Sequence, residues 1–230
     1  MRLQLSVLSA IVLTGMVCLA QNPRPKPKVS GQPLTPEQVA VYRTVLKNYL
    51  LKHSGDVLNV ADTTEPLKRT GPVFDRTGPV FGYCMAGVEL DRPGSSAPVV
   101  HKLSQSVLID PRIILVEPEQ QNARIKQNDP QKVVRQAKAH GKTVTAAEVE
   151  KFEKVAEANG MLSLSEISFD KTHSHAVVTY SFVCGEDCGD GRIFVLEKVG
   201  DEWKLIRGCL LWRMVDCLIA PITLSRVQAS

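Results

Sequence analysis

The sequence predicts an α+β fold, with N-terminal helices packed on a C-terminal antiparallel β-meander. Three observations carry this. Thr35-Pro36-Glu37-Gln38 and Thr145-Ala146-Ala147-Glu148 both have the form of a capping-box helix start. Apolar residues follow each start at helical spacing. From Leu162 the hydrophobic period changes to two, and the runs are broken by short Gly- and Asp-rich turns, the pattern of strands joined as hairpins.

The chain has 230 residues and opens with a short positive segment, Met1-Arg2. A nearly unbroken apolar run, Leu3 to Leu19, follows it. Cys18-Leu19-Ala20 before Gln21 places small residues at the −3 and −1 positions of a cut between Ala20 and Gln21. This is the pattern of a cleaved secretory signal peptide over residues 1–20. Cys18 ends the apolar run behind Gly15-Met16-Val17, so lipidation at Cys18 is the alternative. One acyl chain there would tether the protein without a spanning helix. Neither route leaves a transmembrane span in the mature chain.

Removing the leader removes only Arg2, which leaves 27 Lys+Arg against 24 Asp+Glu, a balance of +3. That is too mild for a nucleic-acid partner, which needs a clustered basic stripe; Arg24, Lys26 and Lys28 do cluster, but between prolines in a solvated linker. Residues 21–34 carry Pro23, Pro25, Pro27 and Pro33 and read as an extended linker. Residues 35–220 are then expected to form a single domain, with a loop-rich insertion at about 62–98.

Within that domain, Thr35 is the N-cap and Pro36 the first helical residue. Val39, Tyr42, Val45, Leu46, Tyr49 and Leu50 mark the buried stripe, and Gly55 is the expected C-terminal cap. Asp56 to Ala61 reads as a short strand. The insertion contains a tandem duplication, Arg69 to Asp75 followed by Arg76 to Gly82, too short and too few for a solenoid. Ile113 to Val116 reads as a strand, and helices are expected after Pro118, from Pro130 to His140, and from Thr145 to Asn159. Leu162 to Phe169 is expected as one irregular strand. His175 to Cys184 and Arg192 to Lys198 form a long hairpin, and Trp203 to Arg207 and Leu210 to Met214 are two further strands.

The mature chain keeps Cys84, Cys184, Cys188, Cys209 and Cys217. In an oxidising compartment these read as disulfides before metal ligands. The candidates are Cys184, Cys188, Cys209 and Cys217, which crowd the last quarter and leave Cys84 as the odd cysteine. A local Cys184–Cys188 bridge is the leading reading, because opposed hairpin positions bring Cβ atoms to about 4.5–5.5 Å. Such a bridge closes a tiny loop and contributes little entropy.

Other constellations are weaker. His173, His175, Cys184 and Cys188 have the right atoms for zinc, but strand parity sends the histidines and Cys184 to opposite faces. Glu186, Asp187 and Asp190 could meet calcium, yet their spacing does not match a twelve-residue calcium loop. No Gly-x-Ser-x-Gly elbow occurs, and no cofactor motif. Trp203 and Trp212 read as core or edge residues of late strands.

The residues Ile167, Phe169, Ala176, Tyr180-Ser181, Cys184-Gly185-x-x-Cys188-Gly189-x-Gly191, Leu196, Lys198, Trp203 and Trp212 resemble a group of exported bacterial proteins of unassigned function. The resemblance covers the last 50–60 residues, roughly, and implies a shared hairpin-rich module without an activity. In outline the helix-then-sheet order is also similar to cystatin-like and nuclear-transport-factor-like cones. The expected function is a non-enzymatic, disulfide-stabilised exported module that binds a protein or a cell-envelope component. The alternative is a small-molecule-binding or enzymatic cone with a pocket between helix and sheet. An inhibitor inserting the repeated Thr-Gly-Pro-Val-Phe loop is a third expectation.

Overall fold

The computed structural model describes residues 27–52, 57–67, 84–90 and 99–214. The leader with Cys18, Ala20 and Gln21, the tandem duplication, Gly55 and Cys217 lie outside the described residues.

The elements in chain order are β1 (Lys28–Val29), α1 (Pro36–Leu50), β2 (Leu58–Ala61), β3 (Val99–Val100), a 3-10 turn (Gln105–Val107) and β4 (Ile113–Val116). Three helices follow, α2 (Pro118–Gln127), α3 (Pro130–Ala139) and α4 (Ala146–Asn159). The chain then runs through β5 (Met161–Leu164), β6 (Ser168–Phe169), β7 (His175–Val183), β8 (Gly189–Val199) and β9 (Glu202–Met214). This is an α+β architecture.

The helix starts follow their local chemistry. Thr35 Oγ1 accepts the Gln38 N–H at 3.2 Å, and the Thr35 N–H donates to Gln38 Oε1 at 2.8 Å. Thr145 and Glu148 repeat the box on α4. These reciprocal bonds satisfy donors that the first helical turn would leave unpaired. α1 ends at Leu50 with Leu51 as its cap, earlier than the end expected near residue 55.

The sheet is broader than a C-terminal meander. Its order is β4-β2-β5-β7-β8-β9, with β6 paired to β7. β2 runs parallel to both β4 and β5, whereas β5, β7, β8 and β9 are antiparallel. The helical segment α2–α4 connects β4 to β5, a crossover of the length that parallel strands require. The stretch expected as one irregular strand is two, because β5 pairs with the far half of β7 and β6 with its start.

β9 is likewise a single strand where two were expected. Leu196 pairs with Leu205 but Val195 with Arg207, and Arg192 pairs with Leu210 but Gly191 with Trp212. Ile206 and Leu211 are thus extra residues, two bulges that bend β9 without ending it. Gly208 falls in the gap between the two expected strands. It is the seat of the Phe194 ring, whose Cε1 lies 3.0 Å from where a Cβ would stand.

α1 lies on one face of the sheet. Val41, Tyr42, Val45, Leu46 and Tyr49 are buried against Val60, Leu162, Leu164, Val178, Phe194 and Trp203. Each such side chain contributes about 1.5–3 kcal/mol of burial. On the opposite face, Cys84 and Met85 cover Val177, Ile193 and Val195, and Ile125 of α2 covers Ala61 and Met161.

Candidate functional site

Strand register places three of the four bonded cysteines. Cys184 and Cys188 flank the turn of the β7–β8 hairpin, with Cα atoms 5.1 Å apart, and are bonded. The Cys184 N–H also donates to the Cys188 carbonyl at 3.0 Å. Cys209 sits opposite Ile193 on the face that the 84–90 segment covers. There it bonds to Cys84, with Cα atoms 6.0 Å apart. Cys84 is therefore not the odd cysteine, as the crowding of the other four had suggested. The pairing is fixed from outside the cluster: Arg207 Nη1 donates to the Cys84 carbonyl at 3.1 Å and to the Ala86 carbonyl at 2.6 Å. That fork holds the segment over β9, 123 residues away in sequence.

The proposed metal constellations are not assembled. His175 and Cys184 stand at opposite ends of β7, about 30 Å apart at 3.3 Å per residue. His173 Nδ1 meets Glu37 Oε2 at 2.9 Å, and His175 Nδ1 meets Asp170 Oδ2 at 3.1 Å. In the hairpin, Glu186 pairs with Arg135 of α3, and Asp190 accepts from the Tyr180 hydroxyl at 3.1 Å and lies 3.3 Å from Arg192 Nε. Among the described residues no group of three or more His, Cys, Asp and Glu side chains is placed to hold a metal ion.

Two polar clusters escaped sequence reading, one because its members are far apart in the chain and the other because it lies within a single short turn. In one, the Glu166 carboxylate beyond β5 accepts the Thr64 hydroxyl and the His101 N–H (2.8 Å) and meets His101 Nδ1 at 3.0 Å. It ties together three segments, from β2, β3 and β5. In the other, Asp170 closes the turn before β7 by accepting the Ser174 N–H at 2.8 Å and the His175 N–H at 3.1 Å. Desolvation pushes its pKa upward. Hydrogen bonds from the Ser174 hydroxyl and the His175 backbone and ring outweigh that and hold it well below the usual carboxylate range.

The interface between α1 and the sheet is packed with buried side chains. Tyr42 donates to the Ser165 carbonyl at 3.0 Å, and Tyr49 packs edge-on to Tyr180 with ring centroids 5.2 Å apart. Burial raises the pKa of all three tyrosine hydroxyls, so they stay neutral through the physiological range. Every deeply buried side-chain nitrogen and oxygen among the described residues has a hydrogen-bond partner.

An open recess of about 390 Å³ lies elsewhere, between the C-terminal half of α1 and residues 109–112 ahead of β4. Arg43, Lys47 and Arg112 supply its positive charge, and Leu50, Leu51 and Ile109 its apolar surface. Arg43 Nε donates to the Ser106 carbonyl at 2.8 Å, which docks α1 on the 3-10 turn. Arg112 grips Asp110 through Nε (3.0 Å) and Nη2 (2.9 Å). The Arg112 side chain and backbone together hold the Asp110 carboxyl down at about 2. Asp110, the one carboxylate among the described residues lining the recess, is thus already paired. Lys47, in the last turn of α1, complements the helix C-terminus and makes no hydrogen bond or ion pair among the described residues. Arg43 and Lys47, four residues apart, form a like-charge pair, an arrangement that weakens an isolated helix by about 0.2–0.5 kcal/mol.

Comparison of the chain with protein-family models, curated proteins and solved structures finds no match. Among the described residues no helix is long and apolar enough to cross a membrane.

Proposed function

We propose that this chain is an exported, non-enzymatic binding module, stapled by two cystines, that works through its surface recess rather than through an internal pocket. The observation that carries this is the filled interface between α1 and the sheet, where a ligand-enclosing cone would need space. The polar clusters that could suggest catalysis, Glu166–His101–Thr64 and Asp170–Ser174–His175, instead close turns and join segments. Two long- and short-range cystines suit an oxidising compartment. They agree with the leader read at residues 1–20 and with the hairpin module that resembles exported bacterial proteins.

Intact-mass analysis of the protein recovered from the compartment where it accumulates tests the reading. The expected chain begins at Gln21 and gains four hydrogens on reduction, and peptide mapping joins Cys84 to Cys209 and Cys184 to Cys188. A cytoplasmic, fully reduced chain that retains residues 1–20 would overturn it. An added acyl mass on Cys18 would replace cleavage at Ala20 with a lipid anchor and keep the exported assignment.

A further inference from the structure

We infer that the recess beside α1 binds a small anionic amphiphile, a molecule with one acidic headgroup and a short alkyl chain. The inference rests on the recess being the working surface and adds the class of ligand.

Size sets the first limit. About 390 Å³ lies toward the low end of the roughly 300–1,000 Å³ typical of small-molecule sites. Charge sets the second. Of the three cations, Arg112 already holds Asp110 in a two-point grip, whereas among the described residues no carboxylate faces Arg43 or Lys47 in the recess. The described side chains of the recess therefore carry more positive than negative charge, and an acidic headgroup complements them.

The apolar side sets the third. Leu51 is 76% exposed and Ile109 41% exposed, both against the same recess. A purely polar anion would leave these side chains in water; an alkyl chain would cover them. The apolar surface is three residues set beside a concavity rather than a continuous helical face. That shape fits a single free amphiphile better than the plane of a bilayer, which a broad amphipathic face would meet.

Titration calorimetry on the oxidised mature protein tests this with four probes: octyl phosphate, inorganic phosphate, octyl glucoside, and phosphatidylglycerol vesicles. Octyl phosphate is expected to bind with one-to-one stoichiometry, at least about tenfold tighter than inorganic phosphate or octyl glucoside, and to weaken as salt rises. Lys47→Glu should weaken it about fivefold or more, the effect of an exposed ion pair reversed. Leu51→Gln should weaken octyl phosphate while leaving inorganic phosphate unchanged. Both side chains are exposed, and unchanged thermal melts of the two variants show that the fold is intact. Equal binding of octyl glucoside, binding to vesicles alone, or octyl phosphate affinity untouched by both substitutions would overturn the inference. Export and two cystines found by mass, with no octyl phosphate binding, would remove the ligand class and leave the exported-module reading in place.

Discussion

Replacing Cys84 and Cys209 together by alanine should cost far more stability than replacing Cys184 and Cys188. The first bridge spans 125 residues and the second only 4. The chain-entropy relation scales with the logarithm of loop length, giving about 5 kcal/mol for the long bridge and about 2 kcal/mol for the short one. Cys84 is fully buried beside Met85, Val177 and Ile193, so losing its sulfur adds a packing penalty of about 1 kcal/mol. Domains of this size have total stabilities of about 5–15 kcal/mol, so the long bridge alone could decide whether the chain stays folded. Urea unfolding of the oxidised wild type and both double variants, followed by circular dichroism and tryptophan fluorescence, measures the difference. The Cys84→Ala/Cys209→Ala variant should also show a steeper denaturant dependence, since its unfolded chain exposes more surface. If removing the short bridge costs as much as removing the long one, the entropic reasoning fails. If removing the long bridge costs under about 1 kcal/mol, the covering of β9 by the 84–90 segment is not what stabilises that face.

Three further outcomes follow from the polar clusters and from one glycine. Glu166→Gln keeps the side chain's size but removes the charge that gathers Thr64 and His101; it should cost about 1.5–3 kcal/mol, read as a lower urea midpoint. An unchanged midpoint would show that the cluster is incidental. Asp170 has a folded pKa below its unfolded value of about 3.9, so its stabilisation is complete above that value and is lost as pH falls through the lowered one. Asp170→Asn should therefore be less stable at neutral pH and lose less stability on acidification below about pH 4; parallel wild-type and variant curves would refute this. At Gly191 an added Cβ would meet the Trp212 indole, so Gly191→Ala should cost about 1–3 kcal/mol. In a Trp203→Phe background it should also shift the Trp212 emission, and an unshifted spectrum would place the indole elsewhere.

What the sequence made legible is what neighbouring residues decide. Thr35 and Gln38, or Thr145 and Glu148, are three residues apart, so their capping boxes can be read directly, and α1 and α4 start where expected. The period-two alternation of Ala176, Val178, Tyr180 and Phe182 likewise put all four on the α1 face. Contacts made across the chain were hidden. Glu166 and His101 are 65 residues apart, Arg43 and Ser106 are 63 apart, and no local pattern joins them. The end of α1 comes earlier than expected, at Leu51, whose N–H reaches the Lys47 and Tyr49 carbonyls. Gly208, between the two expected strands, shows a different limit. A glycine in a strand pattern can mean a break or a close approach, and only the position of the Phe194 ring decides between them.

The same distinction bears on where a ligand can be held. A polar internal pocket needs donors or acceptors directed into it and unused by the protein itself. Here the deeply buried side-chain nitrogens and oxygens of the described residues are all bonded within the chain, and the α1 interface is occupied by Tyr42, Leu46 and Tyr49. The opposite face is taken up by the Cys84 segment on one side and by α2 on the other. Under the proposed function, binding falls to groups that the fold positions but does not consume. Arg43 is held by Ser106 yet keeps guanidinium donors beyond its Nε, Lys47 is free of ion pairs among the described residues, and Leu51 is exposed beside them. Their positions depend on α1 and on the turn ahead of β4, neither of which carries a cystine. Breaking Cys184–Cys188 should accordingly lower stability while leaving octyl phosphate affinity unchanged, which separates the staple from the site.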